Sequence, residues 1–530
     1  MKNKILSLAL TCFIIASVFA LAIPTAAETA VFSVADKDGT PIGSYTAYNA
    51  ALKAAFDAGG GTIEMLSDHT ITASCYADSD IATRTQIVIN GNGHTLKTTG
   101  NANQLFTFTG GDSITVNDLK AVVDGGTRFT DIYGGTTLTF NGVTFTTNSA
   151  IDDQYGHFRT PNVTDNADKV NTLNFNDCSI TLNGKGTVIG IRQSAHILDV
   201  NMDGCTVKGN TPADLQHGGF ICGARTVTLN DTDVNVEDRA FWDLKGGDTV
   251  RITGNSTVRV RKWAKPIISV LNDYDFILGD NVKLIGKTLA QAKGTAEFLN
   301  IYAYNPDFYY TDPETAYPYF TAPVMNVGGT LRVSTLAPSY GLRFTSTCAK
   351  PTVDDPETQA VESLVNHVIE YGTVITKDTY LEKGLWAEGV QGKATEAATG
   401  IFLSAKANNG LSTDASGNVT MNTVLANIKD ENLESTFYAR SYAAYSLDRY
   451  ELINVYVFSR LNPATYGASY KQTVNKTLAE NVKDAAEAGY TTEVDSYVSL
   501  GSGGYAWTAG KKYTCYSKEQ YDALKAIATK

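Results

Sequence analysis

The chain has 530 residues, with 43 Lys and Arg against 55 Asp and Glu, and its formal net charge is −12. This acidic balance argues against nucleic acid and other polyanions as general partners, because like charges repel. The 7 cysteines follow no zinc-binding spacing. Beyond the N-terminal segment no apolar run is long enough to cross a bilayer, so we expect no transmembrane segment in the mature chain.

Residues 1–27 have the features of a secretory signal. Lys2 and Lys4 give a charged start, Ile5 to Ile23 is largely apolar, and Thr25-Ala26-Ala27 offers small residues for cleavage. The pattern predicts a secreted protein, extracellular or associated with the cell surface. An uncleaved anchor helix is the alternative.

A capping helix is predicted at the start of the mature chain. Ser44 is a candidate N-cap for a helix over Tyr45–Ala58, which Gly59-Gly60-Gly61 should end. The strand Thr62–Leu66 would then open the first coil of a repeat. Such a helix covers the apolar end that a terminal repeat exposes.

A short phrase then recurs: two apolar residues separated by a spacer, followed by Asn and then Gly or Asp. Full and degenerate copies place the Asn position at residues 90, 117, 141, 176, 203, 230, 253 and 279. The alternation predicts a strand with one side in a core. Asn and Gly tolerate the left-handed backbone that turns the chain. With about three short strands per period, the repeat predicts a parallel β-helix in which the Asn amides stack.

The repeat divides the chain into regions. Residues 28–300 are predicted to form the β-helix with its N-terminal capping helix, and residues 301–330 a Tyr- and Pro-rich connector. The connector should cover the last coil, with a glycan-stacking surface as the alternative. Residues 331–530 are predicted as an accessory domain, α+β or β-sandwich-like, with helices at 470–488 and 517–529. The fold class is therefore all-β, a parallel β-helix followed by this smaller domain.

Two cysteines occupy the same place in successive coils. Cys178 and Cys205 each follow the Asn position by two residues, so their Cα atoms should lie within disulfide reach. A ladder of buried thiols is the preferred interpretation, and a disulfide is the alternative.

Several phrases resemble known families. Gly60–Asp68 and Ile89–Leu96 resemble the opening coils of pectin-lyase-like right-handed parallel β-helix proteins. That resemblance implies a right-handed solenoid, but lyases, glycosidases and non-catalytic surface proteins share it. Tyr340–Ser346, Glu370–Ile375 and Tyr438–Tyr442 resemble a C-terminal module of secreted multi-module proteins of Gram-positive anaerobes, which implies no particular reaction.

The candidate catalytic residues lie near the ends of comparable strands. A polyuronate lyase needs a cation, often Ca²⁺, and an Arg or Lys base, whereas a hydrolase needs clustered carboxylates. The catalytic candidates are Arg225 and Lys245, which could supply a base, and Asp238, which could supply a carboxylate. Ca²⁺ is the one cofactor that a lyase would imply, and no metal ligands can be assigned.

Charged and aromatic residues nearby form a candidate glycan-binding face. A row of cations with Trp along a rod suits an acidic glycan, while a solvated charged face is the alternative interpretation. The ligand-binding candidates are Arg192, Arg239, Trp242, Asp243, Arg261, Lys262 and Trp263.

The longest interval between copies contains an insertion over residues 148–170. Long loops on solenoids often carry function, and this one is rich in groups for metal binding or acid–base work. A solvated polar loop is the alternative. The residues concerned are Asp152, Asp153, Tyr155, His157, Arg159, Asp165 and Asp168.

Three functions remain open at this stage. The leading hypothesis is a secreted or cell-surface β-helix protein, monomeric and non-catalytic, that binds polysaccharide or a cell-surface glycan. The second is a polysaccharide lyase or glycoside hydrolase acting on an acidic plant or microbial glycan. The third is an adhesin that binds a cell or protein surface.

Overall fold

The structure is a computed structural model. It describes residues 29–72, 85–99, 104–108, 113–125, 128–132, 134–148, 156–160, 169–184, 186–191, 197–209, 219–244, 247–261, 265–311, 315–316, 320–333, 340–350, 368–377, 385–392, 403–406, 411–428, 437–447, 450–459, 493–499 and 505–514.

The predicted parallel β-helix is confirmed, and three sheets form its sides. Sheet A has 16 strands, sheet B 11 and sheet C 8, and from Gln86 onward the chain runs from A to B to C in each coil. In spatial order, sheet A contains Pro41–Tyr45, Phe32–Asp36, Gly61–Met65, Gln86–Asn90, Ser113–Asn117, Thr137–Asn141, Val170–Asn176, Ile197–Asp203, Thr226–Asn230, Thr249–Thr253, Tyr274–Leu278, Leu299–Ala303, Ile453–Phe458, Phe437–Ser446, Val368–Lys377 and Leu403–Lys406.

Sheets B and C complete each coil. Sheet B contains His69–Ile71, Thr95–Thr98, Lys120–Val123, Thr144–Thr147, Ser179–Leu182, Thr206–Gly209, Asp233–Val236, Thr257–Val260, Lys283–Ile285, Tyr309–Thr311 and Thr315–Ala316. Sheet C contains Gln104–Phe108, Arg128–Ile132, Phe158–Thr160, Ile189–Ile191, Ile221–Cys222, Phe241–Leu244, Pro266–Val270 and Thr288–Ala292.

Alternation along each strand puts apolar side chains inside the coil. In sheet A, Leu138 and Phe140 are fully buried, and they align with Leu173 and Phe175 of the next coil. The rings of Phe140 and Phe175 are stacked with their centroids 5.3 Å apart, which shows how tightly the coils pack. The insertion contributes Phe158, which lies 5.0 Å from Phe175. Burial of this kind is the main force that holds one coil on the next.

The recurring Asn forms the predicted ladder. The Nδ2 of Asn117 donates to Asn90 Oδ1 at 2.8 Å, and Asn141 donates to Asn117 at the same distance. Asn176 continues the series onto Asn141 at 2.7 Å. In the next coil the position is Asp203, whose Oδ1 accepts from Asn230. An ionised Asp has no N–H to donate to Asn176, so the chain of amides divides there.

The residue after the Asn position turns the chain with positive φ. Asp and Gly alternate at this position: Asp118, Gly142, Asp177, Gly204, Asp231 and Gly254 have φ between 45° and 64°. A Cβ added to Gly254 would lie 2.4 Å from Asp231 Oδ1. The carboxylate of one coil therefore fills the space over the glycine of the next.

Cys178 and Cys205 are buried thiols, as preferred from the sequence. The Cys178 backbone N–H points at the Cys205 sulfur at 3.4 Å, and the Cys205 thiol faces the carbonyl oxygens of Phe175 and Asp203 at 3.3 Å. The thiol–thiol interaction raises the pKa of Cys178, and burial adds to the effect. Thr232 continues this column with the same pattern of carbonyl contacts.

The N-terminal cap differs from the prediction. Helix α1 spans Tyr48–Asp57, its N-cap is Ala47, and no side chain caps it, so the assignment of Ser44 was wrong. Ser44 instead pairs with Ser33 in an antiparallel hairpin that holds it extended. This hairpin joins sheet A beside Gly61–Met65, so the first coil is covered by two strands as well as by the predicted helix.

Part of the C-terminal region continues the solenoid. The strand Ile453–Phe458 adds in parallel to Leu299–Ala303, and three further strands extend sheet A antiparallel. A separate 6-stranded sheet D contains Leu411–Thr413, Val419–Ile428, Tyr340–Cys348, Val324–Val333, Glu493–Ser499 and Tyr505–Thr514. The proposed boundaries at 300 and 331 stay a prediction, and the helices expected at 470–488 and 517–529 lie outside the described residues.

A second apolar cluster forms where this region meets the outer side of sheet A. Helix α2, Trp386–Val390, packs there against the connector tyrosines Tyr302 and Tyr304. Arg440 is fully buried; its Nη2 donates to Asp280 and its Nε to the Ser459 carbonyl. These contacts tie the last coils to the C-terminal strands. Among the described residues, no helix combines the length and apolarity needed to span a bilayer.

Two turn glycines have the same backbone conformation but differ in the space available for a side chain. Gly142 and Gly254 both have φ of 63°, but a Cβ on Gly142 meets nothing within 4 Å. We expect Gly142→Ala to lower the free energy of unfolding by about 1–2 kcal/mol, the cost of the left-handed backbone. Gly254→Ala should cost at least about 1 kcal/mol more, because the new Cβ displaces the Asp231 carboxylate. That carboxylate would then lose the hydrogen bond that it accepts from the Asn255 backbone N–H at 2.8 Å. Urea unfolding measures both, and equal losses would contradict the steric role of Asp231.

Candidate functional site

Four of the seven predicted ligand-binding residues belong to the described part of the chain, and all four lie in or next to sheet C. Asp238, Arg239 and Arg261 lie in the connections that enter this sheet from sheet B, while Trp242 and Asp243 lie in its strand Phe241–Leu244. The residues 192–196 and 245–246, which leave sheet C for sheet A, are outside the described set. The candidate site is therefore the outer face of sheet C, which we call face C.

One column of residues runs along face C at the coil spacing of about 4.8 Å. Its order follows from the strand register: Asp131, Arg159, Gly190, Cys222 and Trp242. The adjoining column, from Phe106 through Phe158 to Phe241, points into the core. Gly190 and Cys222, which are both buried, thus form a stretch of two coils with small residues between a guanidinium and an indole.

Asp131 and Arg159 form a buried ion pair at the N-terminal side of this stretch. Arg159 Nη2 lies 2.8 Å from Asp131 Oδ2, and the two side chains are 12% and 9% exposed. Gln104 Nε2 donates to the same carboxylate at 2.7 Å. Arg159 was one of the insertion residues, and its neighbour His157 is fully buried against Phe129. The insertion therefore places a fixed guanidinium on face C.

Arg239 and Trp242 lie at the C-terminal side of this stretch. The Arg239 guanidinium carbon lies 4.5 Å from the centre of the Trp242 ring, and Trp242 is only 5% exposed. Arg239 is half-buried, so the cation, rather than the indole, is the more accessible of the two groups. Asp243 follows with φ of 44°, at a bulge where Ser269 Oγ lies 3.5 Å from its carboxylate.

The turn that carries Asp238 is tied to the next coil. Asp238 is fully buried, and the adjacent Glu237 accepts from Arg261 Nε at 2.9 Å. A second nitrogen of Arg261 donates to the Gly209 carbonyl. Arg261 therefore joins three successive coils at the edge of face C.

Arg225 does not approach Asp238. Asp238 precedes a strand of sheet C and Arg225 follows one, so the two lie at opposite edges of the sheet. Arg225 Nε donates to Asp199 Oδ1 at 2.9 Å, on the side of sheet A. These hydrogen bonds raise the pKa of the Arg225 guanidinium, which disfavours the neutral form that a base requires.

The remaining predicted site residues lie outside the described part of the chain: Arg192, Lys245, Lys262, Trp263, Asp152, Asp153, Tyr155, Asp165 and Asp168. The catalytic roles of Asp238, Arg225 and Lys245 and the ligand-binding roles of the others stay predictions. Among the described residues, no group of three or more His, Cys, Asp or Glu is placed to hold a metal ion. The Ca²⁺ that a lyase would imply also stays a prediction.

Sequence reasoning missed the carboxylates that pair with these arginines. Asp131, Asp199 and Glu388 contact Arg159, Arg225 and Arg251 respectively. The first two pairs span 28 and 26 residues, which is close to the coil period, so a search for opposite charges one coil apart would have found them. Glu388 lies in α2, 137 residues from its partner, and the repeat gives no signal for it.

Comparison with protein families, with curated proteins and with solved structures gives no match for this chain.

The two ion pairs should differ in their effect on stability. Arg159→Met leaves Asp131 buried without its cation, so we expect a loss of about 3 kcal/mol in the free energy of unfolding. Arg225→Met breaks a pair whose arginine is 32% exposed, and we expect about 1 kcal/mol or less. Urea unfolding at neutral pH compares them. Adding Asp131→Asn to Arg159→Met should restore part of the loss, and no restoration would contradict the assignment to an uncompensated charge.

Proposed function

We propose that this chain is a secreted, monomeric β-helix protein that binds polysaccharide without cleaving it. The N-terminal signal pattern supports export, and the opening phrases support a pectin-lyase-like origin for the solenoid. A rod with side-chain columns repeating at each coil suits a ligand that is itself a repeating polymer. The C-terminal region would then serve as an accessory part that covers the last coil.

The observation that carries this proposal is the pairing of arginines with carboxylates. Arg159, Arg225 and Arg261 each contact a carboxylate of the preceding coil, and Arg251 contacts Glu388. A lyase needs a cation free to act on the uronate and a base free to accept a proton. Paired guanidinium groups serve neither purpose, whereas they can still donate their remaining N–H groups to sugar hydroxyls. Binding is therefore better supported than cleavage.

The binding surface that we propose is face C between Arg159 and Trp242. Arg239 stands over the indole and is the accessible donor at this end. Arg239→Ala should weaken polysaccharide binding about fivefold, the loss expected for one hydrogen bond from a charged group. Arg259→Ala, which changes a half-buried arginine on the outer side of sheet B, is the matched control and should bind as wild type does.

Binding is measured by co-sedimentation with insoluble polysaccharides and by a glycan array, and cleavage is followed on the same materials. With polygalacturonate and Ca²⁺, we expect no rise in the absorbance of unsaturated uronides and no new reducing ends. Product release would favour the enzymatic alternative. Retention on cells or proteins with no glycan bound would favour an adhesin.

A further inference from the structure

The outer side of sheet A differs from the rest of this charged chain. We call face A the outward positions of its five strands from Ser113–Asn117 to Thr226–Asn230. These positions are Ser, Thr or Asn except Val170, Ile197, Asp199 and Asp203. Asp199 is paired with Arg225, and Asp203 accepts from the Asn230 amide. Apart from the pair Val170 and Ile197 at one edge, face A is therefore a nearly uncharged array of hydroxyl and amide groups on a protein of net charge −12.

The array is ordered by its own hydrogen bonds. Along its central column, Asn201 Nδ2 donates to Asn174 Oδ1 at 2.9 Å, and Asn174 Nδ2 donates to Thr139 Oγ1 at 3.1 Å. The Asn ladder forms a parallel column two residues away along each strand. Threonine side chains are stiff at χ1 as well. A ligand on face A would therefore immobilise few side chains that are not already fixed.

The central column continues with Thr115 on one side and Thr228 on the other, and all five of its side chains are half-buried. Donors and acceptors repeat about every 4.8 Å along the rod and about 6.7 Å along each strand. Helix α2 marks the C-terminal limit of face A, where Glu388 contacts Arg251 in the next strand of sheet A.

Charge decides which polymer this array fits. An acidic glycan would meet the two aspartates of face A, and the neighbouring Arg225 already compensates one of them. A neutral polysaccharide presents closely spaced hydroxyls that both donate and accept, which matches Thr and Asn side chains group for group. Uncharged polar surfaces also lose little on desolvation when each group finds a new partner.

We propose that face A is a second polysaccharide-binding surface and that it takes a neutral polysaccharide lying along the rod. This inference rests on the proposed function, since it specifies the class of glycan and adds a surface other than face C.

The test removes two hydroxyls and leaves the ladder intact. Thr115→Val and Thr228→Val together keep the branched shape of each side chain. Neither hydroxyl takes part in the hydrogen bonds of the Asn ladder. The probes are insoluble β-glucan, xylan and mannan, with polygalacturonate as the acidic comparison. We expect the double variant to bind the neutral polysaccharides about tenfold more weakly, as for two lost hydrogen bonds.

The matched control lies on sheet B. Thr146 and Thr181 are outward-facing and half-buried, like Thr115 and Thr228, and they are adjacent to each other in register. Thr146→Val with Thr181→Val should therefore change binding less than twofold. Urea unfolding of both double variants confirms that each is folded.

The outcomes separate the two proposals. Arg239→Ala combined with the face A variant should multiply the two losses, because the faces lie on different sheets. If the face A variant binds polysaccharide as wild type does while Arg239→Ala binds more weakly, the proposal for face A is overturned. The proposal of polysaccharide binding by face C would then stand. Tighter binding to polygalacturonate than to the neutral polymers would also overturn it. A wild-type dimer that the face A variant converts to monomer would assign face A to a second copy. If no polysaccharide binds wild type, both proposals fail.

Discussion

Each coil of the solenoid must return to the same place above the one before, and the turn from sheet A to sheet B controls that return. In six consecutive coils, from Asp118 to Gly254, its second residue has positive φ, and Asp and Gly alternate there. The carboxylates of Asp177 and Asp231 occupy the space that a Cβ on Gly204 or Gly254 would need. Register is therefore set by steric fit as well as by the Asn ladder. The inward apolar columns and the outward polar columns both depend on it.

The same register determines what charges can do. A cation in one coil lies one strand spacing from the equivalent position in the next, so a carboxylate there becomes its partner. Arg159, Arg225 and Arg261 follow this rule, and their partners lie 24 to 28 residues earlier. The pairs hold neighbouring coils together and engage these three guanidinium groups. Arginines that look like a free row in the sequence can thus be paired in the fold.

Most of the solenoid could be predicted because its information is local and repeated. The Asn phrase established the strands, the turns and the ladder. The prediction for Ser44 was wrong because its hairpin partner, Ser33, lies outside the sequence pattern of the helix. The contact of Arg239 over the ring of Trp242, a predicted ligand-binding residue, could not be predicted, because what covers a ring depends on the fold. The addition of Ile453–Phe458 to Leu299–Ala303 joins strands about 150 residues apart, and no periodicity spans that distance.

Stacking also explains why the two faces offer different geometries. Side chains in a column stand about one strand spacing apart, so a large residue in one coil limits the room above its neighbours. On face C, Gly190 and Cys222 place small residues in two consecutive coils between Arg159 and Trp242. On face A the residues of the central column are all Thr or Asn, which are similar in size. A column of uniform residue size can contact an extended chain along its length. The choice of residue sizes along one column is therefore a determinant of ligand shape that is separate from charge.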